Sequence, residues 1–159
     1  RGARRVRSTT SELTWDYGLG LVRLETSRAA GVAGFVGRAS PVELGALVLE
    51  TRLDYGVVFL VSLDGEPLAS SKRMLLQVMT EVANHGFRAP GTGLRAIADV
   101  GKPPLVVKEV EGAVRFTRPD AGALRALALD ANGRATRRAE LPHGLTLLPD
   151  VLHYIVYRD

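Results

Sequence analysis

No cysteine occurs in the 159 residues, so disulfides, zinc–thiolate centres and thiol nucleophiles are excluded. Lysine is scarce: of 21 basic residues only Lys72, Lys102 and Lys108 are lysines. Such an arginine bias suits a GC-rich genome or a heat-adapted source. No apolar run approaches the ~20 residues that cross a bilayer as a helix, and no membrane partner is expected. No signal-peptide pattern is present. Residues 1–7 hold no acid but contain Arg1, Arg4, Arg5 and Arg7. Without that head the chain carries 17 basic against 17 acidic residues, so the net charge of +4 and the pI of 9.8 describe one end of the molecule. Nucleic-acid binding needs a basic face or stripe rather than a basic end, and is not expected.

What is present is ordinary for a folded domain: 46% hydrophobic and 24% charged residues, in a length that suits one domain with a real core. Because the first residue is Arg rather than Met, the expectation is a piece of a longer protein. Residues 1–7 are expected to be a frayed basic head or interdomain junction, and residues 8–159 one domain.

Strand signals dominate. Apolar runs of about 4–8 residues recur: Gly45 to Leu49, Val57 to Val61, Met74 to Met79, Leu105 to Val107, Val114 to Phe116, Leu124 to Leu129 and Tyr154 to Tyr157. Leu124 to Leu129 alternates, as a strand with one covered face does, whereas Val57 to Val61 is apolar throughout. Asp64-Gly65 and Asp130-Ala131-Asn132-Gly133 supply the positive φ that tight hairpins need. Pro103-Pro104 and Pro142 read as breaks, and Gly31, Gly34 and Gly37 as punctuation of a short strand pair. Helix signals are thin. Ser40-Pro41-Val42-Glu43-Leu44 reads as one helical turn with Ser40 as N-cap. Met74 to Val82 reads as strand, framed by the Asp64-Gly65 turn and the Gly86 break. The fold expected is an all-β sandwich, jelly-roll-like, of roughly 10–12 strands.

Catalytic chemistry finds little footing. There is no G-x-S-x-G elbow for a serine nucleophile. Ser62, Ser70 and Ser71 flank a turn, where hydroxyls commonly bond backbone. His85, His143 and His153 are too scattered for zinc spacing. Asp130 to Gly133 has a D-x-N-G pattern but places Gly fourth rather than sixth, so it reads as a hairpin turn and not an EF-hand loop. Asp54, Asp64, Asp99 and Asp150 lie near loops and leave room for a structural calcium; no other cofactor is implied. Gly91-Thr92-Gly93 lacks the Lys-Ser/Thr of a phosphate loop. Among carboxylates, Glu109 and Glu111 share a strand face by alternation, yet solvated surface acids account for them.

The aromatics carry the sharpest hypothesis. Trp15 and Tyr17, spaced i, i+2, share one face of a strand and flank Asp16. A flat pair of rings with a nearby polar group can hold a sugar. The competing reading puts the one Trp in the core. Asn84-His85-Gly86-Phe87-Arg88 is a second candidate, a polar loop carrying one aromatic.

These residues form a succession with a familiar look. Ser11 to Asp16, Gly31 to Gly37, Val61-Ser62-Leu63-Asp64-Gly65-Glu66-Pro67-Leu68 with Ser71 to Leu76, Gly101 to Pro104 with Glu109 to Gly112, and Tyr154 to Tyr157 span about residues 8–158. Together they resemble the C-terminal β-sandwich accessory domains of bacterial (β/α)8-barrel glycoside hydrolases. The resemblance implies a non-catalytic module of a secreted, extracellular enzyme. Its partners would be a polysaccharide or oligosaccharide and the catalytic domain of the same parent chain. Trp15 and Tyr17 would stack on sugar rings, and Asp16, Asn84, His85, Phe87 and Arg88 would line the ligand. The alternative it leaves open is an interdomain packing module that stabilises the barrel without binding a ligand. A hydrophobic patch beside the Arg-rich head would favour that alternative. No catalytic residue is carried over.

Overall fold

The computed structural model describes residues 4–90, 96–141 and 144–159, with the side chains of residues 139 and 140 left aside. The Gly91-Thr92-Gly93 loop, Pro142 and His143 fall outside the described residues. The elements are β1 (Arg5–Arg7), β2 (Leu13–Asp16), β3 (Leu21–Glu25), β4 (Ala29–Gly34), β5 (Val42–Leu44), β6 (Leu47–Thr51), β7 (Gly56–Ser62) and β8 (Arg73–Met79). They continue with β9 (Val82–His85), β10 (Lys102–Val107), β11 (Gly112–Phe116), β12 (Arg125–Leu129), β13 (Ala135–Glu140), β14 (Leu145–Thr146) and β15 (His153–Tyr157). Two single 3-10 turns, Val36–Ala39 and Ala121–Ala123, are the helical content among the described residues.

The fold is all-β. A nine-stranded antiparallel sheet runs β1-β2-β3-β4-β7-β8-β15-β12-β13, and a four-stranded sheet runs β14-β11-β6-β5. Their apolar faces meet in one core. Alternation decides which side chains enter it: Leu21, Ala30, Val32, Val58, Leu60, Met74, Leu76, Val78, Tyr154 and Val156 point inward from the large sheet. Val42, Leu44, Leu47, Leu49, Val114, Phe116 and Leu145 answer from the small one. The Tyr154 hydroxyl is not wasted in this core, since it accepts the Leu148 N–H at 2.7 Å. Burial raises the Tyr154 pKa above the usual phenol value.

Asp64-Gly65 lies in the link, residues 63–72, that joins the antiparallel pair β7 and β8, longer than the tight hairpin expected, and Gly65 takes the positive φ of 79° that the reading called for. Asp130 to Gly133 joins β12 to β13, with Asp130 Oδ1 accepting the N–H groups of Asn132 and Arg134. It is a hairpin turn.

Several local expectations are overturned. Ser40 to Leu44 is not a helical turn: Val42–Leu44 is strand β5, and the Ser40 hydroxyl accepts the Thr51 N–H at 3.0 Å rather than capping a helix. Pro103-Pro104 does not break the chain but lies inside β10, where the pairing with β9 shifts register between Lys102 and Leu105. An edge strand next to a bulge can spare the missing N–H groups. Glu109 and Glu111 sit in the link after β10, not on a strand. Nor is the head frayed at Arg5–Arg7, which pairs residue for residue with β2. Among the described residues the β-segments number fifteen, since short pieces such as β1, β5 and β14, which carry almost no pattern of their own, add to the roughly 10–12 strands expected.

β9 and β10 form a two-stranded sheet apart from both layers. Its apolar side chains stand in solvent; Leu105 is 69% exposed.

Candidate functional site

Trp15 is not a core residue. The structure leaves it 54% exposed and Tyr17 51% exposed, which settles the alternative of a buried Trp against the core. The two rings are in contact, centroids 5.8 Å apart, but stand edge to face at 63°. They therefore make a ridge and not the flat platform the spacing suggested.

Their surroundings follow from strand register. Trp15 lies directly between Val6 on β1 and Val22 on β3. Leu13, two residues earlier, shares the face and pairs with Leu24. Val6, Leu13 and Val22 are all exposed. The cross-strand rows continue over the outer face of the large sheet: Val22 to Ala33 to Val57, and Leu24 to Gly31 to Phe59. The corner at β1–β3 is thus an apolar patch with two rings at its centre. Exposed patches of this kind mark interaction surfaces. Arg4, exposed, borders it opposite Tyr17 and has no carboxylate partner among the described residues.

Asp16 does not face the rings. Alternation sends it to the opposite side of β2, where its Oδ2 accepts Arg5 Nε at 2.7 Å. Its Oδ1 accepts the N–H groups of Gly18 and Leu19 at 3.1 and 3.0 Å, capping the β2–β3 turn. The Arg5 hydrogen bond, then the Leu19 N–H, hold its carboxyl below the usual range. Three donors, the Arg5 guanidinium and two backbone N–H groups, thus engage the Asp16 carboxylate on the face away from the rings.

The second group belongs to a different sheet. Asn84 and His85 lie on β9, and Phe87 and Arg88 follow it. Asn84 Nδ2 donates to the Val100 carbonyl at 2.9 Å, and its carbonyl accepts the Phe87 N–H. Arg88 bridges to Asp99 in sequence register and by a long 3.5 Å ion pair, both side chains in solvent. His85 pairs in register with Lys102 and is exposed. Phe87 is half-buried in a groove of about 1030 Å3 beside Tyr55, Val82 and Leu105. The Trp15 and Asn84 groups lie on different sheets and, among the described residues, share no hydrogen bond, ion pair or ring contact.

An aromatic pair that sequence reasoning missed lies at the ends of β4 and β7. Phe35 and Tyr55 meet at 5.7 Å and 81°, with the Arg38 guanidinium 4.2 Å above the Phe35 ring. The signal available was the glycine beside each ring, Gly34 and Gly56, which pair with each other.

The remaining candidates are occupied by structure. Asp64 accepts the hydroxyls of Ser71 and Ser62 and the N–H groups of Lys72 and Glu66, at 2.8, 2.9, 2.7 and 3.2 Å. The Ser71 hydroxyl above all holds its carboxyl far below the usual range. Asp150 pairs with Arg137, and Glu81 with Lys108. No cluster of three His, Asp or Glu side chains that would hold a metal ion occurs among the described residues. The carboxylates whose pKa is displaced, Asp16, Asp64 and Asp120, are all displaced downward.

Comparison with protein-family models, curated proteins and solved structures returns no match.

Proposed function

We propose that this chain is a non-catalytic accessory module that docks, through the apolar corner of β1–β3, onto the catalytic barrel of the same secreted enzyme. The sequence resemblance supplies the identity of the partner. The observation that carries the docking is the setting of Trp15. It is exposed, it is flanked across the strands by Val6 and Val22, and it touches Tyr17. Tryptophan and tyrosine anchors within an aliphatic patch are the composition of a protein interface. Arg4 at the border calls for an acidic residue on the partner's rim, which would orient the encounter.

A second reading is a glycan platform at the same rings, and the exposure of Trp15 favours it. It is the weaker of the two. A sugar needs hydroxyl partners beside the stacking ring, whereas the cross-strand neighbours here are aliphatic and Asp16 points away.

The test uses the parent enzyme and this chain side by side. Trp15→Ala in the parent is expected to lower the melting temperature of the catalytic unit, since truncating a central Trp anchor costs about 2 kcal/mol or more of docking energy. The same change in this chain alone, being at a surface, is expected to move its own stability by no more than about 0.5 kcal/mol. An unchanged barrel melting temperature refutes docking. Retention of the chain on neutral polysaccharide that disappears with Trp15→Ala establishes the platform instead.

A further inference from the structure

The opposite end of the same sheet face is built differently. Tyr157 on β15 lies in the ladder between Arg73 on β8 and Arg125 on β12. Two residues earlier, Ile155 lies between Leu75 and Leu127, and Arg138 on β13 lies beyond Leu127. These side chains open a cleft of about 450 Å3 in which Lys72, Arg73, Arg138 and Arg158 surround Tyr157 over a floor of Ile155 and Leu127. Its volume is in the range of small-ligand sites. With neighbouring strands about 4.8 Å apart, β15 lies five strands from β2, roughly 24 Å along the sheet from Trp15.

Among the described side chains the charge there is unbalanced. Arg125 is neutralised by Asp159 at 2.8 Å, and Arg158 reaches Asp120. Lys72, Arg73 and Arg138 have no carboxylate partner among the described residues. In a body of equal positive and negative counts this is a local concentration of cations around one concavity. Like charges so placed repel, and an anion in the cleft relieves them.

We propose that this cleft binds an acidic saccharide, a hexuronate unit of a polyuronate chain. Arginine forks match carboxylates in two parallel hydrogen bonds. The Tyr157 ring and the aliphatic floor match the apolar face of a pyranose. A bare inorganic anion would use the cations but gain nothing from the floor. A nucleic acid needs a groove that tracks successive phosphates, and this cleft is closed to a single ligand unit by its size. The site is independent of the Trp15 corner, so its failure and that of the docking proposal are separately visible.

The experiment titrates the full chain with trimers of galacturonate, glucuronate and mannuronate, and with their methyl esters, by calorimetry and by amide NMR. The expected result is that at least one acid form binds about tenfold or more tightly than its ester, with shifts at Ile155 and Tyr157. Arg73→Gln with Arg138→Gln is expected to lose about tenfold in affinity and to weaken the salt dependence. If the double variant does not fold, Arg138→Gln alone, on an exposed edge strand, is expected to lose severalfold. Equal binding of acid and ester overturns the proposal. So does displacement by inorganic phosphate at concentrations comparable with the trimer, tighter binding of a single-stranded oligonucleotide, or no binding of any of the three acids at millimolar concentration.

Discussion

Replacing Arg118 by Met removes the centre of a knot that fixes two loops and the chain's last strand. The Arg118 side chain is only 4% exposed. It grips Asp120 with two parallel bonds, Nε to Oδ1 at 2.5 Å and Nη2 to Oδ2 at 2.9 Å. Its Nη1 donates to the carbonyls of Leu68 and Ser71 at 3.0 and 2.7 Å, reaching from the β11–β12 link into the β7–β8 loop. Methionine fills most of the volume, so the cost is polar. Two buried carbonyls lose their donor, at about 1–3 kcal/mol each, although Asp120 keeps Arg158 as a partner. The two carbonyls together put the cost at about 2–6 kcal/mol, a range that contains the roughly 3–5 kcal/mol usual for removing one member of a buried pair. In a domain of this length that is a fall in melting temperature of roughly 10 °C. Thermal and urea unfolding followed by circular dichroism measure it at neutral pH and again in acid. Asp120 is held below the ordinary carboxylate range, first of all by Arg118. A depressed carboxylate stabilises the fold above its unfolded pKa, about 3.9 for Asp, and that contribution is lost as pH falls through the folded value. The gap between wild type and variant should therefore narrow as the pH falls below about 4. A loss under about 1 kcal/mol at neutral pH, below the cost of a single orphaned carbonyl, or a gap that stays constant in acid, refutes the reasoning.

Two further outcomes can be checked the same way. Gly34→Ala should be severely destabilising, by about 3 kcal/mol or more. The residue has φ 125°, and an added Cβ would fall 2.0 Å from the Gly20 carbonyl oxygen; Gly65→Ala, at φ 79° with nothing within 4 Å, should cost only about 1 kcal/mol. Equal effects of the two would show that backbone strain alone decides. Asp64→Asn should lower stability at neutral pH and flatten the acid limb of the stability curve, because the wild-type carboxylate, hydrogen-bonded above all by Ser71, contributes above about pH 4 and loses that contribution as pH falls further. An unchanged acid limb would mean that Asp64 is as free in the fold as in the unfolded chain.

The sandwich was readable because alternation and turn chemistry agree over long stretches. Val57 to Ser62 and Arg73 to Met79 both carry a buried face, and Asp64-Gly65 between them permits little but a hairpin. Where the reading failed, local signals were read without tertiary context. Arg5-Val6-Arg7 has one apolar residue and no period, and becomes a strand only because β2 offers it a partner. Ser40-Pro41 carries helix-start chemistry, but Val42 and Leu44 are drawn into the core of the small sheet and pull the segment extended. Pro103-Pro104 reads as a break unless the bulge beside it is known. At the candidate site, the shared face of Trp15 and Tyr17 was legible from spacing alone. The commitment of Asp16 to Arg5 and to the next turn was not, because it depends on β1 lying alongside. The cation cleft was equally out of sight, since Arg73, Arg138 and Tyr157 come from three distant segments that only sheet order joins.

That sheet order also bears on how the protein is made. β15, residues 153–157, follows every other strand among the described residues, yet it lies between β8 and β12 and provides the ladder through which β12 and β13 attach to the rest. Until those residues have left the ribosome, β8 presents an unfilled edge and the β12–β13 hairpin has nothing to join. The nascent domain must wait with its central seam open. Its final closure is a long-range event of the slow kind, and a chain that stalls before residue 153 would expose two hungry strand edges to its neighbours.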